Sequence, residues 1–147
     1  IKSIMQMQTI GHDKMNMLRH LKFFKDADGV VAFMKKHADI LRPKFEICEK
    51  KLSENLGGLG IAEWTKPLGG YFVSLDVPEG CAKRVVSLAK EAGVVLTDAG
   101  ATFPYHNDPK DTNIRIAPSF PPVSELETAM DVLCVCVKLA SVEKLVG

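Results

Sequence analysis

The chain has 147 residues, with 19 basic and 18 acidic side chains and 46% apolar residues, enough for one domain with a sizeable core. Neither disulfides nor a metal ion is needed to explain its folding. Its basic residues are scattered apart from the short pairs Lys35-Lys36 and Lys50-Lys51, which argues against a nucleic-acid footprint, and no apolar run approaches the length of a membrane span.

Residues 1–10 place Ile1, Ile4, Met5, Met7 and Ile10 in a segment without a start signal, and Ile1 is not a translation start. The chain therefore reads as part of a longer protein. Gly11 breaks this segment, and Asp13 can cap a helix whose Met15, Leu18, Leu21 and Phe24 fall close to one face. After Asp28-Gly29 comes the longest helical pattern, with Val30, Phe33, Met34, His37, Leu41, Phe45, Cys48 and Leu52 at three- and four-residue steps. Pro43 predicts a kink near Leu41-Arg42 or a new first turn there. His37 lies on the apolar stripe, where a packed helix histidine is the simpler reading than a ligand.

Gly57, Gly58 and Gly60 end that helix and open a turn. Ile61–Thr65 reads as a short strand, Lys66-Pro67-Leu68-Gly69-Gly70 as a tight connection, and Tyr71–Asp76 as a second, central strand. The paired glycines fit a hairpin turn, a bulge, or a close approach of backbone to something else. Pro78 is placed to begin a helix with Cys81, Val85, Leu88, Ala89 and Ala92 inward, ended by Gly93. Val94–Leu96 reads as a third strand. Asp98 to Thr112 is a loop mixing Phe103, Tyr105 and His106 with polar residues, suited either to line a site or to cross the surface.

In Asn113-Ile114-Arg115-Ile116-Ala117 an arginine interrupts an apolar strand. In extended backbone Ile114 and Ile116 share one face, while Arg115 leaves the other with Asn113 and Ala117. Pro118 and Pro121 stop the strand. Such a guanidinium needs an anionic partner: an internal acid, Asp98, Asp108 or Asp111, or a ligand carboxylate matched by its fork of donors. Ser124-x-x-Glu127 then offers a capping box to a last helix with Leu126, Met130, Leu133, Val137 and Ala140 inward. The expected fold is α+β, a small, mainly antiparallel sheet covered on one face by helices.

Cys48, Cys81, Cys134 and Cys136 form no CxxC pair with histidine at zinc spacing and read as small buried residues of a reducing compartment. With no secretory pattern at the start of the chain, the expected location is cytoplasmic. No Gly-x-Ser-x-Gly elbow, Gly-rich phosphate loop, helical His-x-x-x-His pair or carboxylate dyad is present, so the inventory is that of part of a site, with no catalytic residue and no metal ligand in the chain.

Several segments, in order, resemble the C-terminal small domain of fold-type I, class I/II aminotransferases, the aspartate aminotransferase-like group. They are Pro67-Leu68-Gly69-Gly70-Tyr71-Phe72, Ala92-Gly93-Val94-Val95-Leu96-Thr97, Ala99-Gly100-Ala101-Thr102-Phe103-Pro104, Asn113-Ile114-Arg115-Ile116-Ala117 and the closing helix. Ile10-Gly11-His12-Asp13-Lys14 and Leu18-Arg19-His20 are similar to the passage out of the large domain into a long connecting helix. The resemblance implies that residues 1–26 are the tail of the large domain and 27–147 the small domain. It also implies substrate binding by Arg115, which takes the carboxylate of an amino acid or 2-oxo acid, with Gly69 and Tyr71 near the substrate. Pyridoxal 5'-phosphate is the implied cofactor, held as a Schiff base by a lysine of the large domain, so no cofactor-binding residue is assigned here. A homodimer is implied, and the chain alone would be inactive. Two alternatives are an aminotransferase-like effector-sensing domain of a transcription regulator and a free-standing α+β module that binds small carboxylates.

Overall fold

The computed structural model describes residues 1–8 and 13–147. Ile10 and Gly11, expected to end the first segment, and His12 lie outside the described residues. The chain divides into two compact units, Ile1–Asp39 and Ile40–Gly147. In chain order the elements are α1 (Lys2–Gln8), α2 (Lys14–Phe24), α3 (Ala27–Leu56), β1 (Glu63–Trp64), β2 (Val73–Asp76), α4 (Ala82–Glu91), a 3-10 turn at Pro104–His106, β3 (Asn113–Ile116) and α5 (Val123–Val146).

In the first unit Asp13 caps α2 as expected, its carboxylate accepting from Asn16 N–H at 3.0 Å. Phe23, Phe24 and Phe33 form an edge-to-face cluster with ring centroids 5.1–5.4 Å apart. His37 lies 4.6 Å from the Phe33 ring yet is exposed, so it packs only on one side. The expected apolar stripe of α2 is not buried within the unit: Met15, Leu18 and Leu21 are exposed because none of its other elements covers them. Helix α3 runs through Pro43 as one element, so the new first turn, one of the two expected outcomes, does not occur there. Burial of Cys48, Leu52 and Leu56 anchors the turns that follow Pro43.

The second unit is built on a three-stranded sheet of order β1-β2-β3, antiparallel throughout, with β2 central. Its register pairs Val73 with Ile116, Ser74 with Arg115, Leu75 with Ile114 and Asp76 with Asn113. Paired residues share a face, so Val73, Leu75, Ile114 and Ile116 make one apolar face and Ser74, Asp76, Asn113 and Arg115 a polar one. The apolar face joins Leu52 and Leu56 of α3, Val85 and Ala89 of α4, and Leu126, Met130, Leu133, Val137 and Ala140 of α5 in one core. Helices therefore cover one face, as expected. A two-pronged contact, Arg84 Nε and Nη2 to the Glu143 carboxylate at 2.7 and 2.8 Å, joins α4 to α5 at the surface. No helix among the described residues is long and apolar enough to cross a membrane.

Boundaries depart from expectation where a turn competes with a pattern. Helix α4 begins at Ala82 rather than Pro78, because Pro78 accepts from Cys81 N–H in a turn and Gly80 takes φ +79°, which no helix continues through. Val94–Leu96 is no strand: Val94 N–H closes the end of α4 on Ala89, and Val95 is 84% exposed without a ladder partner. Strand β1 is shorter than Ile61–Thr65. Helix α5 starts at Val123 after Pro122, whose extended conformation ends the preceding chain, so Ser124 is already inside the helix and the capping box does not form. All four cysteines are free and buried; burial pushes the Cys48 thiol up to about 12 and the Cys134 thiol up to about 11.

Leu75 is fully buried under the helices, so Leu75→Ala is expected to cost roughly 2–5 kcal/mol in denaturant unfolding. Ser124→Ala, by contrast, should stay within about 0.5 kcal/mol. A large Ser124 effect would restore the capping box; a small Leu75 effect would contradict the core.

Candidate functional site

The polar face of the sheet carries the only candidate chemistry that the sequence singled out. Arg115 is half-buried in β3, held on that face by the burial of Ile114 and Ile116 on the other. Its guanidinium stacks over the Phe72 ring, 4.5 Å from the centroid. Nη2 reaches Thr97 Oγ1 at 3.5 Å, and Nε is buried with no hydrogen-bond partner among the described residues.

None of the ion pairs among the described residues includes Arg115. The internal acids proposed for it are committed elsewhere or stand apart. Asp108 is buried and accepts from the backbone N–H groups of Lys110, Thr112 and Asn113 at 2.7–3.0 Å. Asp111 accepts from Lys83 N–H at the start of α4, and Asp98 is exposed. The internal ion-pair reading is therefore overturned, and a cation that has given up part of its hydration is left without an anion.

Beside Arg115 the face is tightly bonded. Asn113 Nδ2 donates to Ser74 Oγ and Asp76 Oδ1, both at 2.8 Å, while its Oδ1 accepts from Thr102 Oγ1 at 2.6 Å. Thr102 belongs to the long loop, which folds back on itself at Gly100, where a Cβ would meet the His106 carbonyl oxygen at 2.8 Å. The loop so reaches the sheet through Thr102, not through a buried aromatic: Phe103 and Tyr105 are exposed. Tyr105 and His106 take φ of +57° and +55°, two consecutive left-handed residues without glycine.

Gly69 and Tyr71 lie in the connection from β1 to β2, a hairpin closed by Thr65 N–H donating to the Ser74 carbonyl at 3.0 Å. Both are exposed, and Gly70 takes φ +89°. The residue of this segment that touches Arg115 is Phe72. Phe72, Thr97 and the Asn113 network were not anticipated as site residues. Only Asn113 carried a usable signal, since alternation places it on the face of Arg115. A groove of about 420 Å³ lies elsewhere, lined by Phe45, Leu52, Trp64, Pro67, Leu68 and Val73 among others.

A seat for pyridoxal 5'-phosphate needs a lysine amine and donors for a phosphate. The paired strand residues of the polar face include no lysine, and Lys44, Lys51 and Lys66 are bound to the Ser119 carbonyl, Asp131 and Glu49. These residues do not fit the cofactor. Arg115 keeps Nε without a partner among the described residues, a donor of the kind a carboxylate accepts from.

The aspartate amino-transferase family model matches residues 1–147. An aspartate aminotransferase of Corynebacterium glutamicum is 53% identical over 134 residues, 91% of this chain and 31% of that protein. The crystal structure of an aspartate transaminase from Corynebacterium glutamicum matches with a TM-score of 0.86 at 50% identity, over 97% of this chain and 34% of that one. That of a multiple substrate aminotransferase from Thermococcus profundus gives 0.64 at 26% identity, over 74% of this chain and 26% of that one. The chain spans about a third of the length of the curated relatives it matches.

Burial pushes the Asp108 carboxyl up, but the backbone N–H groups of Asn113, Thr112, Lys110 and Asp111 outweigh it and hold it below the ordinary carboxylate range. A lowered folded-state pKa means that this stabilisation is full above about pH 4, the unfolded value, and is lost as pH falls through the lower folded value. Asp108→Asn should cost about 1–3 kcal/mol at pH 7 and flatten the loss of stability on acidification. An unchanged acid limb in pH-dependent unfolding would remove Asp108 as the anchor of β3.

Proposed function

Because this chain belongs to the aspartate aminotransferase family and has the α+β fold of its C-terminal small domain, we propose that it supplies Arg115 as the substrate-carboxylate arginine of a pyridoxal-phosphate-dependent aminotransferase. The observation that carries this reading is the half-buried guanidinium with no carboxylate of its own. Residues 1–26 are then the tail of a large domain and 27–147 the small domain.

The full-length protein would exchange an amino group between an amino acid and a 2-oxo acid; since the two Corynebacterium glutamicum relatives are an aspartate aminotransferase and an aspartate transaminase, aspartate is the first substrate to test. The cofactor, when bound, supplies the electron sink for this exchange, and the residues that hold it are assigned to the rest of the polypeptide. This chain's part is to bind and orient. Stacking on Phe72 keeps the guanidinium plane fixed, so that a carboxylate meets two parallel N–H donors at little entropic cost and the substrate is held in one direction. Gly69 and Tyr71 border the site from the β1–β2 hairpin. On the resemblance alone the reading extends to a cytoplasmic homodimer and to a chain inactive by itself. Catalytic turnover, rather than effector sensing, is what the named relatives favour.

In the full-length protein Arg115→Ala should raise KM for the amino acid and lower kcat/KM roughly 10- to 100-fold, the range of a lost charge-assisted pair. Arg115→Lys should recover only part of this, since lysine keeps the charge without the fork. Steady-state kinetics unaltered by Arg115→Ala would sink the carboxylate role. Borohydride reduction with pyridoxal phosphate followed by peptide mass mapping should find the modified lysine outside these 147 residues. A modified lysine within them would overturn the division of the site.

A further inference from the structure

Arg115 is held weakly by its own atoms. Its one polar contact is the 3.5 Å approach to Thr97, and the Phe72 ring fixes its plane but not its distance along the strand. Strand β3 is only four residues long and lies at the edge of the sheet, paired on one side alone. What then sets where the guanidinium stands?

Asn113, two residues before Arg115 and on the same face, is 8% exposed and uses both of its amide hydrogens and its carbonyl oxygen. The orientation of its amide is dictated by chemistry, because the Asp76 carboxylate can only accept; Nδ2 must therefore face Asp76. Each partner belongs to a different fixed point. Asp76 is the cross-strand partner of Asn113 itself, Ser74 is the cross-strand partner of Arg115, and Thr102 brings in the loop. The backbone N–H of Asn113 is in turn held by Asp108 at 2.9 Å. A shift of β3 along β2 would break all of these at once, whereas the apolar contacts of Ile114 and Ile116 tolerate small displacements.

We propose that Asn113 is the positioning residue of the site: its bonds to Asp76, Ser74 and Thr102 lock the register and height of β3, and thereby aim Arg115 at the substrate carboxylate. This rests on the carboxylate role of Arg115. Asn113 acts through the arginine and does not itself meet the substrate.

The network can be inverted as well as broken, which gives the test. In the full-length holoenzyme Asn113→Asp sets two carboxylates face to face. The double variant Asn113→Asp with Asp76→Asn restores every bond: donor and acceptor exchange in the bonds to residue 76 and Ser74, while Thr102 goes on donating to residue 113. Asn113→Asp should raise KM for the amino acid about tenfold with a smaller change in kcat, a loss of aim rather than of chemistry. Single-turnover rates with a primary amine lacking the α-carboxylate should not change. The double variant should bring KM back to within about threefold of the parent. Equal losses on both substrates, or no recovery in a double variant that unfolds at the parent temperature, would overturn the proposal and leave Asn113 a structural residue. Arg115→Ala measured alongside separates the two levels. If it loses amino-acid binding while Asn113→Asp does not, the positioning role alone fails; if Arg115→Ala changes nothing, the carboxylate reading fails and takes the positioning role with it.

Discussion

The register of two four-residue strands is the constraint on which the larger unit depends. With Val73 opposite Ile116 and Leu75 opposite Ile114, every apolar side chain of β2 and β3 faces α3, α4 and α5, and every polar one faces away. A slip of one residue would turn Arg115 and Asn113 toward the core and both isoleucines away from it, which burial of a charge and loss of apolar contacts oppose. The hydrophobic core therefore fixes which way the site faces, and the hydrogen bonds of the polar face refine where it stands.

That polar face is uneven in a way that separates structure from function. Its acids and amides are saturated: Asp108 takes up the backbone at the entrance to β3, Asp111 the start of α4, and Asp76 the amide of Asn113. The one cation among them is not. A half-buried charge without a partner among the described residues is destabilising. Asp76, Asp108 and Asp111 are engaged elsewhere, which accords with the carboxylate role proposed for the arginine.

Much of this was legible in the residues. Two β-branched neighbours around Arg115 specify its face without any tertiary information, and the inward residues of α5 follow from helical spacing. Elements ending in glycine were placed well, as at Gly57 and Gly93. The departures share a cause: a local signal is outweighed by a competitor close by. Pro78 is a good first residue for a helix, but Gly80 two positions later prefers a turn; Ser124 is a good cap, but Pro122 ends the extended chain first. Val94–Leu96 has strand composition and no partner to pair with, which sequence periodicity cannot report. The contact of Phe72 with Arg115 was hidden for a similar reason, because it joins residues 43 positions apart and depends on the hairpin between β1 and β2 being closed. The role proposed for Arg115 is what the resemblance implies, while its surroundings come from the geometry.

An arginine without an acid of its own also ties the endurance of the fold to the medium. Any small carboxylate that pairs with the guanidinium in the folded state, and not in the unfolded chain, adds RT ln(1 + [L]/Kd) to the unfolding free energy, about 2.7 kcal/mol at a hundredfold excess over Kd. If Arg115 holds the carboxylate proposed for it, the melting temperature of the protein rises with the concentration of that carboxylate.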